Sequence, residues 1–193
     1  VGEHGEVLSD DPIHALQLLD EPSPPDRPAE CCVLSAQALD GSDSPSTIRL
    51  RALVGNQVML LLLDSGSTHS FVNKAFVDRL GLAIEEMPPT EVRVANGDKL
   101  TCNRMVPGLK WWMQGHTFAT PMRELEIGAY DGILGMDWLA QHSPMTCHWQ
   151  DKWVKFLHDG EEVTLHGVPT KPATTLMAVS PEELRKMIAG NDV

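Results

Sequence analysis

The chain has no apolar run long enough to cross a bilayer: the longest extends only from Val58 to Leu63, against the roughly 20 residues that a spanning helix needs. Its first residues, VGEHGEVLSDD, lack the basic-then-apolar pattern of a secretion signal. A soluble, intracellular protein of the cytoplasm is therefore expected, with no membrane partner. Positive charge is also in short supply. The 15 Lys and Arg stand against 27 Asp and Glu, a net charge of −12, which repels a phosphate backbone and argues against direct nucleic-acid binding. Cysteine is scarce: Cys31 and Cys32 are adjacent, Cys102 and Cys147 stand alone, and none lies in a CxxC or zinc-finger array. Neither a disulfide framework nor a structural metal is expected. His142 and His148 are six residues apart and His158 and His166 eight, so neither pair has the i,i+4 spacing that puts two ligands on one helix face. The expectation is no metal and no cofactor. Repeats of 20 to 50 residues are absent as well.

What the chain does have is enough apolar content, 42% of 193 residues, to bury one core with tails on either side. Residues 1–46 are acidic and proline-punctuated, as in DEPSPPDRPAE, with only short apolar pieces such as CCVLSAQAL; they read as linker. From Thr47 the text changes to TIRLRALV and NQVMLLLL, two strand-length stretches split by Gly55-Asn56, a hairpin dipeptide. The second stretch is apolar on both faces, as in a central strand, and runs directly into Asp64. A carboxylate at the end of a buried strand demands a reason. The following SFVNKAFVDRLGL has Phe71, Val72, Ala75, Phe76 and Leu80 near helical spacing, with Ser70 as N-cap and Gly81 just past the end.

Further on, EVRVANGDKLT alternates Val92 and Val94 before Asn96-Gly97, the strongest short hairpin signal in the chain. GLKWWMQGHTFAT reads as strand pieces, and Asp131-Gly132 leads into Ile133-Leu134-Gly135 and then a helical turn or two in MDWLAQH. Strands follow around Trp149, Trp153–Phe156 and Val163–Leu165, the last two joined by Asp159-Gly160. Residues 168–193 form a proline-containing spacer and a short helix, with Ser180 as N-cap, Pro181 at N1 and Glu183 completing a capping box. The composite is mainly β with short helices.

Alone, Asp64-Ser65-Gly66 is what any turn after a strand would use. Its company is more specific: VMLLLLDSGST is an apolar strand delivering Asp-Ser-Gly, an Asn-Gly hairpin lies about 30 residues on, and Ile133-Leu134-Gly135 lies about 70 on. In this order the set resembles the retropepsins, dimeric aspartic proteases of retroviruses and LTR retrotransposons. The resemblance to gypsy-type, plant-like retrotransposon proteases is closer still, through DSGSTHSFV, RLGL, VRVANGDKLTC, QGHTF and GAYDGILGMDWLAQHSPM, and it covers residues 47–167.

That resemblance implies a closed, retropepsin-like β-barrel of the acid-protease fold, and an aspartic endopeptidase that cuts polyprotein peptide bonds. Hydrolysis by this route needs two carboxylates sharing one proton: the ionised one takes a proton from the attacking water, and the protonated one hydrogen-bonds the carbonyl oxygen. Pepsin-like enzymes carry the second Asp-Thr/Ser-Gly in the same chain. Here Asp40-Gly41-Ser42, Asp131-Gly132 and Asp159-Gly160 have the wrong order or lack the hydroxyl residue, so the expected partner is Asp64 of a second copy. By resemblance Ser65 bonds across the two-fold axis, Gly66 aims its N–H at the carboxylate, Ser67 bonds the outer carboxylate oxygen, and Thr68 belongs to the same supporting loop. Family members often have Thr where this chain has Ser65. Ala95, Asn96, Gly97 and Asp98 match the tip of a flap that closes over an extended peptide. Ile133, Leu134 and Gly135 match the element packed beneath the catalytic loop. Asp131 and Asp137 are read as hydrogen-bonding or capping residues, His69 as a solvent-facing residue opening the helix, and the five tryptophans as core or interface aromatics. The resemblance also allows a location in virus-like particles. Two other readings stand beside the protease: a catalytically silent retropepsin-fold module for dimerisation or binding, and a plain β domain in which the Asp-Ser-Gly turn has no role.

Overall fold

Gly55-Asn56 reverses the chain as the hairpin signal requires, Gly55 taking φ +58°. Strands β2 (Ile48–Val54) and β3 (Gln57–Leu63) pair antiparallel over their whole length. The structure is a computed structural model and describes residues 32–40 and 46–169. In chain order these residues form β1 (Cys32–Leu34), α1 (Ala36–Asp40), β2, β3, β4 (Phe71–Asn73), α2 (Lys74–Leu80), β5 (Glu85–Val94), β6 (Lys99–Met113), β7 (His116–Leu125), β8 (Gly132–Leu134), α3 (Met136–Gln141), β9 (Thr146–His148), β10 (Trp153–His158) and β11 (Glu161–His166). The main sheet runs β1-β5-β6-β2-β3-β8-β4-β7, and a further pairing of β6 with β7 closes six of these strands into a barrel. The fold is thus mainly β, a closed barrel with few short helices.

Strand β3 is apolar on both faces because it lies between two cores. Met59, Leu61 and Leu63 join a cluster with Leu50, Trp111, Phe118, Trp138 and Phe156, whereas Leu62 joins one with Leu34, Phe71, Val92, Tyr130 and Ile133. Strand β8 repeats the division, with Ile133 in the second cluster and Leu134 in the first. It pairs parallel to β3, Leu62 opposite Ile133 and Leu63 opposite Leu134. Burying such side chains stabilises the fold by about 1.5–3 kcal/mol each, and this layering fixes where β3 delivers Asp64. The separate sheet β11-β10-β9 covers the first core with Val154, Phe156, Val163 and Leu165.

Several expectations are corrected here. Residues 32–40, read as linker, are part of the fold: Cys32, Leu34 and Ala38 are fully buried, and β1 pairs parallel with β5. Helix α2 starts later than the apolar spacing suggests, since Phe71–Asn73 is a strand held between β7 and β8. Its N-cap is Asn73 and not Ser70; the Asn73 side chain accepts from the Ala75 N–H, while Gly81 ends the helix in the left-handed conformation as expected. His69 is half-buried and bonds the Thr68 hydroxyl through Nδ1 at 2.9 Å, before β4 and away from any helix start. Trp149 lies in the turn after β9. The acidic stretch 1–31 and the helix expected near 180–190 lie outside the described residues.

Candidate active site

Asp64 sits one residue beyond β3, and its N–H donates to the Leu134 carbonyl at 3.0 Å, tying the strand end to β8. The side chain is only 7% exposed. The Gly66 N–H donates to its Oδ1 at 3.0 Å, and the Ser67 hydroxyl donates to its Oδ2 at 2.6 Å, so both oxygens are held in place. Charge-assisted bonds of this length are the strong ones. A Cβ at Gly66 would stand 3.0 Å from the Ser35 Cβ and 3.2 Å from Asp64 Oδ1, so a larger residue there would have to push one of these side chains aside by a few tenths of an ångström. Ser65 is exposed at the loop's outer edge, and Ser67 is fully buried.

The loop rests on the segment after β8. A Cβ at Gly135 would overlap the carbonyl group of His69 and come within 2.9 Å of the Ser67 carbonyl oxygen, while the Met136 N–H donates to that oxygen at 2.8 Å. Leu134 and Gly135 therefore lie against the Asp64 loop, while Ile133 packs beside Leu62 and Phe71. Asp137 reinforces the contact: its carboxylate accepts from the Ser70 N–H at 2.9 Å, the Ser70 hydroxyl at 2.7 Å and the Trp138 N–H at 2.7 Å. Ser70 in turn accepts from the Gly135 N–H at 3.2 Å. The role of Ser70 escaped the sequence reading, because its partner is 67 residues away and no local pattern signals it. Asp131 accepts from the Leu60 N–H at 2.9 Å and, like Asp137, is a hydrogen-bonding residue.

Beside Asp64 opens a cleft of about 550 Å³, lined among others by Leu63, Ser65, Met136, Leu139, Met145 and Trp149. Among the described residues Asp64 is the carboxylate in that lining. Met136 and Trp149 are exposed apolar side chains. Cys147 also faces the cleft, but burial pushes its thiol up from the ordinary value, which keeps it protonated and a poor nucleophile.

Ala95, Asn96, Gly97 and Asp98 form the exposed tip of the β5–β6 hairpin. Gly97 takes φ +98°, the Val94 N–H donates to the Asp98 carbonyl at 2.8 Å, and the Asp98 N–H donates to Asn96 Oδ1 at 2.9 Å. The hairpin is not free on its inner side: the Ala95 N–H donates to the Leu34 carbonyl at 3.0 Å. Thr68 also meets β1. Its N–H donates to the Val33 carbonyl at 3.0 Å and its Oγ1 accepts from the Val33 N–H at 2.9 Å. Among the described residues no group of three or more His, Cys, Asp or Glu side chains could hold a metal ion.

The model of a family described as retroviral aspartyl protease matches residues 29–158. The chain belongs to that family. The matched stretch of this retroviral aspartyl protease relative begins ahead of β1, in keeping with β1 being part of the fold. Curated protein sequences give no match. Among solved structures, the retroviral protease-like domain of Ddi1 from Leishmania major is 18% identical, covering 64% of this chain and 93% of that one at a TM-score of 0.46. The EIAV protease, complexed with an inhibitor, is 21% identical over 49% of this chain and 86% of that one, with a TM-score of 0.40. A retropepsin-like aspartic protease from Rickettsia conorii is 16% identical over 55% and 80%, with a TM-score of 0.39.

Proposed function

We propose that the protein is an aspartic endopeptidase cleaving extended polyprotein segments at a site built from Asp64 of two identical chains. The observation that carries this reading is the Asp64 carboxylate itself: nearly buried, fixed through both oxygens, and placed at the edge of an open cleft. A carboxylate so held can take a proton from a water as the water attacks a peptide carbonyl. Among the described residues Asp64 is the one carboxylate lining the cleft, and in this reading the companion acid comes from a second chain. A second copy is supported by exposed Ser65 next to exposed Met136 and Trp149, a hydroxyl and an apolar surface at the site where a partner loop would stand. In the dimer Ser65 bonds its counterpart, Ser67 and Gly66 hold each carboxylate, and the tip Ala95–Asp98 covers the substrate.

Origin in a gypsy-type, plant-like retrotransposon polyprotein belongs to the same proposal and rests on the motif resemblance over residues 47–167. A cytoplasmic or particle-enclosed location follows from that origin. The test is cleavage of an unstructured polypeptide from pH 4 to 7 by the chain and by Asp64→Asn. The proposal expects cleavage by the first and a loss of about 10²–10⁴-fold or more in the second. Equal rates from the two would overturn it. Self-association with no cleavage by either would favour the silent binding module.

A further inference from the structure

The segment Cys32–Ser35, strand β1 and the residue after it, has hydrogen bonds on both edges, to the flap hairpin and to the Asp64 loop. On one side it pairs parallel with β5, Cys32 opposite Val92, Val33 opposite Arg93 and Leu34 opposite Val94, and the Ala95 N–H extends the contact to the Leu34 carbonyl. On the other side Val33 exchanges two bonds with Thr68, at 3.0 Å and 2.9 Å. The Ser35 N–H then donates at 3.1 Å to the Ser67 hydroxyl, the same group that donates to Asp64 Oδ2. The segment thus ends one side chain away from the catalytic carboxylate. Cys32 and Leu34 bury their side chains in the cluster that holds Leu62, Phe71, Val92 and Ile133. Backbone bonds along a strand, with alternate side chains in apolar pockets, is the way sheets hold extended peptides.

We infer that Cys32–Ser35 fills the groove in which this protein binds peptides, acting as a built-in occupant that must leave before a substrate enters. The inference rests on the reading that the Asp64 site takes an extended peptide. It assigns the Thr68 N–H and hydroxyl, the Ser67 hydroxyl and the Ala95 N–H as backbone-binding groups of the groove. The ligand class is an extended peptide with apolar side chains two residues apart, followed by a small residue beside Asp64. The occupant itself is not presented for hydrolysis. From Ala36 the backbone turns into α1, with the Ser35 hydroxyl accepting from the Ala38 N–H at 3.2 Å, so the chain does not continue extended past the carboxylate. A groove filled in this way binds an added peptide more weakly, in proportion to the fraction of time it stands open.

The experiment uses the full chain carrying Asp64→Asn, so that nothing is cut, and a fluorescein-labelled synthetic peptide of residues 32–39, CVLSAQAL. Its affinity is compared with that for the same chain bearing Val33→Pro and Ser35→Pro, which remove the N–H groups donating to Thr68 and Ser67. The released chain is expected to bind at least about tenfold more tightly, the rise that follows if the segment holds the groove closed nine-tenths of the time. Because the prolines can disturb folding, hydrogen exchange is also followed in the chain without them. Saturating peptide is expected to speed exchange at the Val33 and Ser35 amides. Equal affinities in two folded chains, or peptide binding that leaves those amides unchanged, would overturn the inference. Neither readout depends on cleavage: an affinity gap with no cleavage even by a released chain that keeps Asp64 retains the groove and sinks the endopeptidase reading, and cleavage by the unaltered chain without an affinity gap does the reverse.

Discussion

At the level of single residues, the Asp64 loop is held by the Ser67 hydroxyl and by the close approach of the backbone at Gly135. Ser67→Ala deprives Asp64 Oδ2 of its donor and the Ser35 N–H of its acceptor. A cost of about 1–3 kcal/mol is expected for buried groups left unpaired, read from the denaturant midpoint, together with lower activity. Gly135→Ala drives a methyl into the His69 and Ser67 carbonyls and is expected to cost about 1–3 kcal/mol by overpacking; a midpoint equal to that of the parent chain would contradict the described contact. His142 introduces a pH dependence. It stacks on Trp138 at 4.1 Å, meets Phe156 edge-on and bonds the Trp138 carbonyl through Nδ1 at 2.9 Å. Burial, the largest influence, lowers its pKa, His158 lowers it further, and the Trp138 carbonyl and Asp159 oppose them. Folded His142 therefore gains its proton at lower pH than the unfolded chain, whose histidine titrates near about 6.5. Above that value the residue contributes no pH dependence. Below it the unfolded state binds more protons, and stability falls as the pH drops towards the lowered folded value. His142→Phe is expected to flatten this acid loss in denaturation series between pH 7 and 5, and an unchanged slope would contradict it.

Among the elements, the short ones that brace the Asp64 loop were the hardest to read. Strand β4 has three residues, and its apolar pair Phe71 and Val72 faces opposite cores, so its pattern merges with the helix that follows and makes Ser70 look like the cap. Asn73 does that work and more: it caps α2 and its amide donates to the Ile127 and Tyr130 carbonyls. Asn73→Ala is expected to destabilise by about 1–2 kcal/mol or more, measured by urea unfolding. Strand β1 was invisible for a similar reason. Three residues give no periodicity, and its partner β5 lies about 60 residues on in a parallel pairing that no turn announces. By contrast β2, β3 and the hairpins at Gly55-Asn56 and Asn96-Gly97 were legible, since length, alternation and turn chemistry agreed. Asp64 stood out in the sequence because a carboxylate ending an apolar strand has few structural explanations, but its bonds to the Gly66 N–H and the Ser67 hydroxyl belong to the folded loop.

For the whole molecule, the chain combines a strong acidic excess with an apolar surface beside its buried carboxylate, Met136 and Trp149 at its rim. If that surface seats a second copy, Met136→Asp is expected to weaken self-association in sedimentation while leaving the far-UV spectrum intact, because the side chain is 42% exposed and its loss empties no core. Unaltered association would move the interface elsewhere. The shared site itself is tested most directly by mixing: a fixed amount of the unaltered chain is titrated with Asp64→Asn protein, and cleavage is followed. If each site takes one aspartate from each chain, the inactive copies draw active ones into dead pairs and the rate per active chain falls as they are added; a rate that stays constant means one chain carries a complete site, and the two-copy account is wrong.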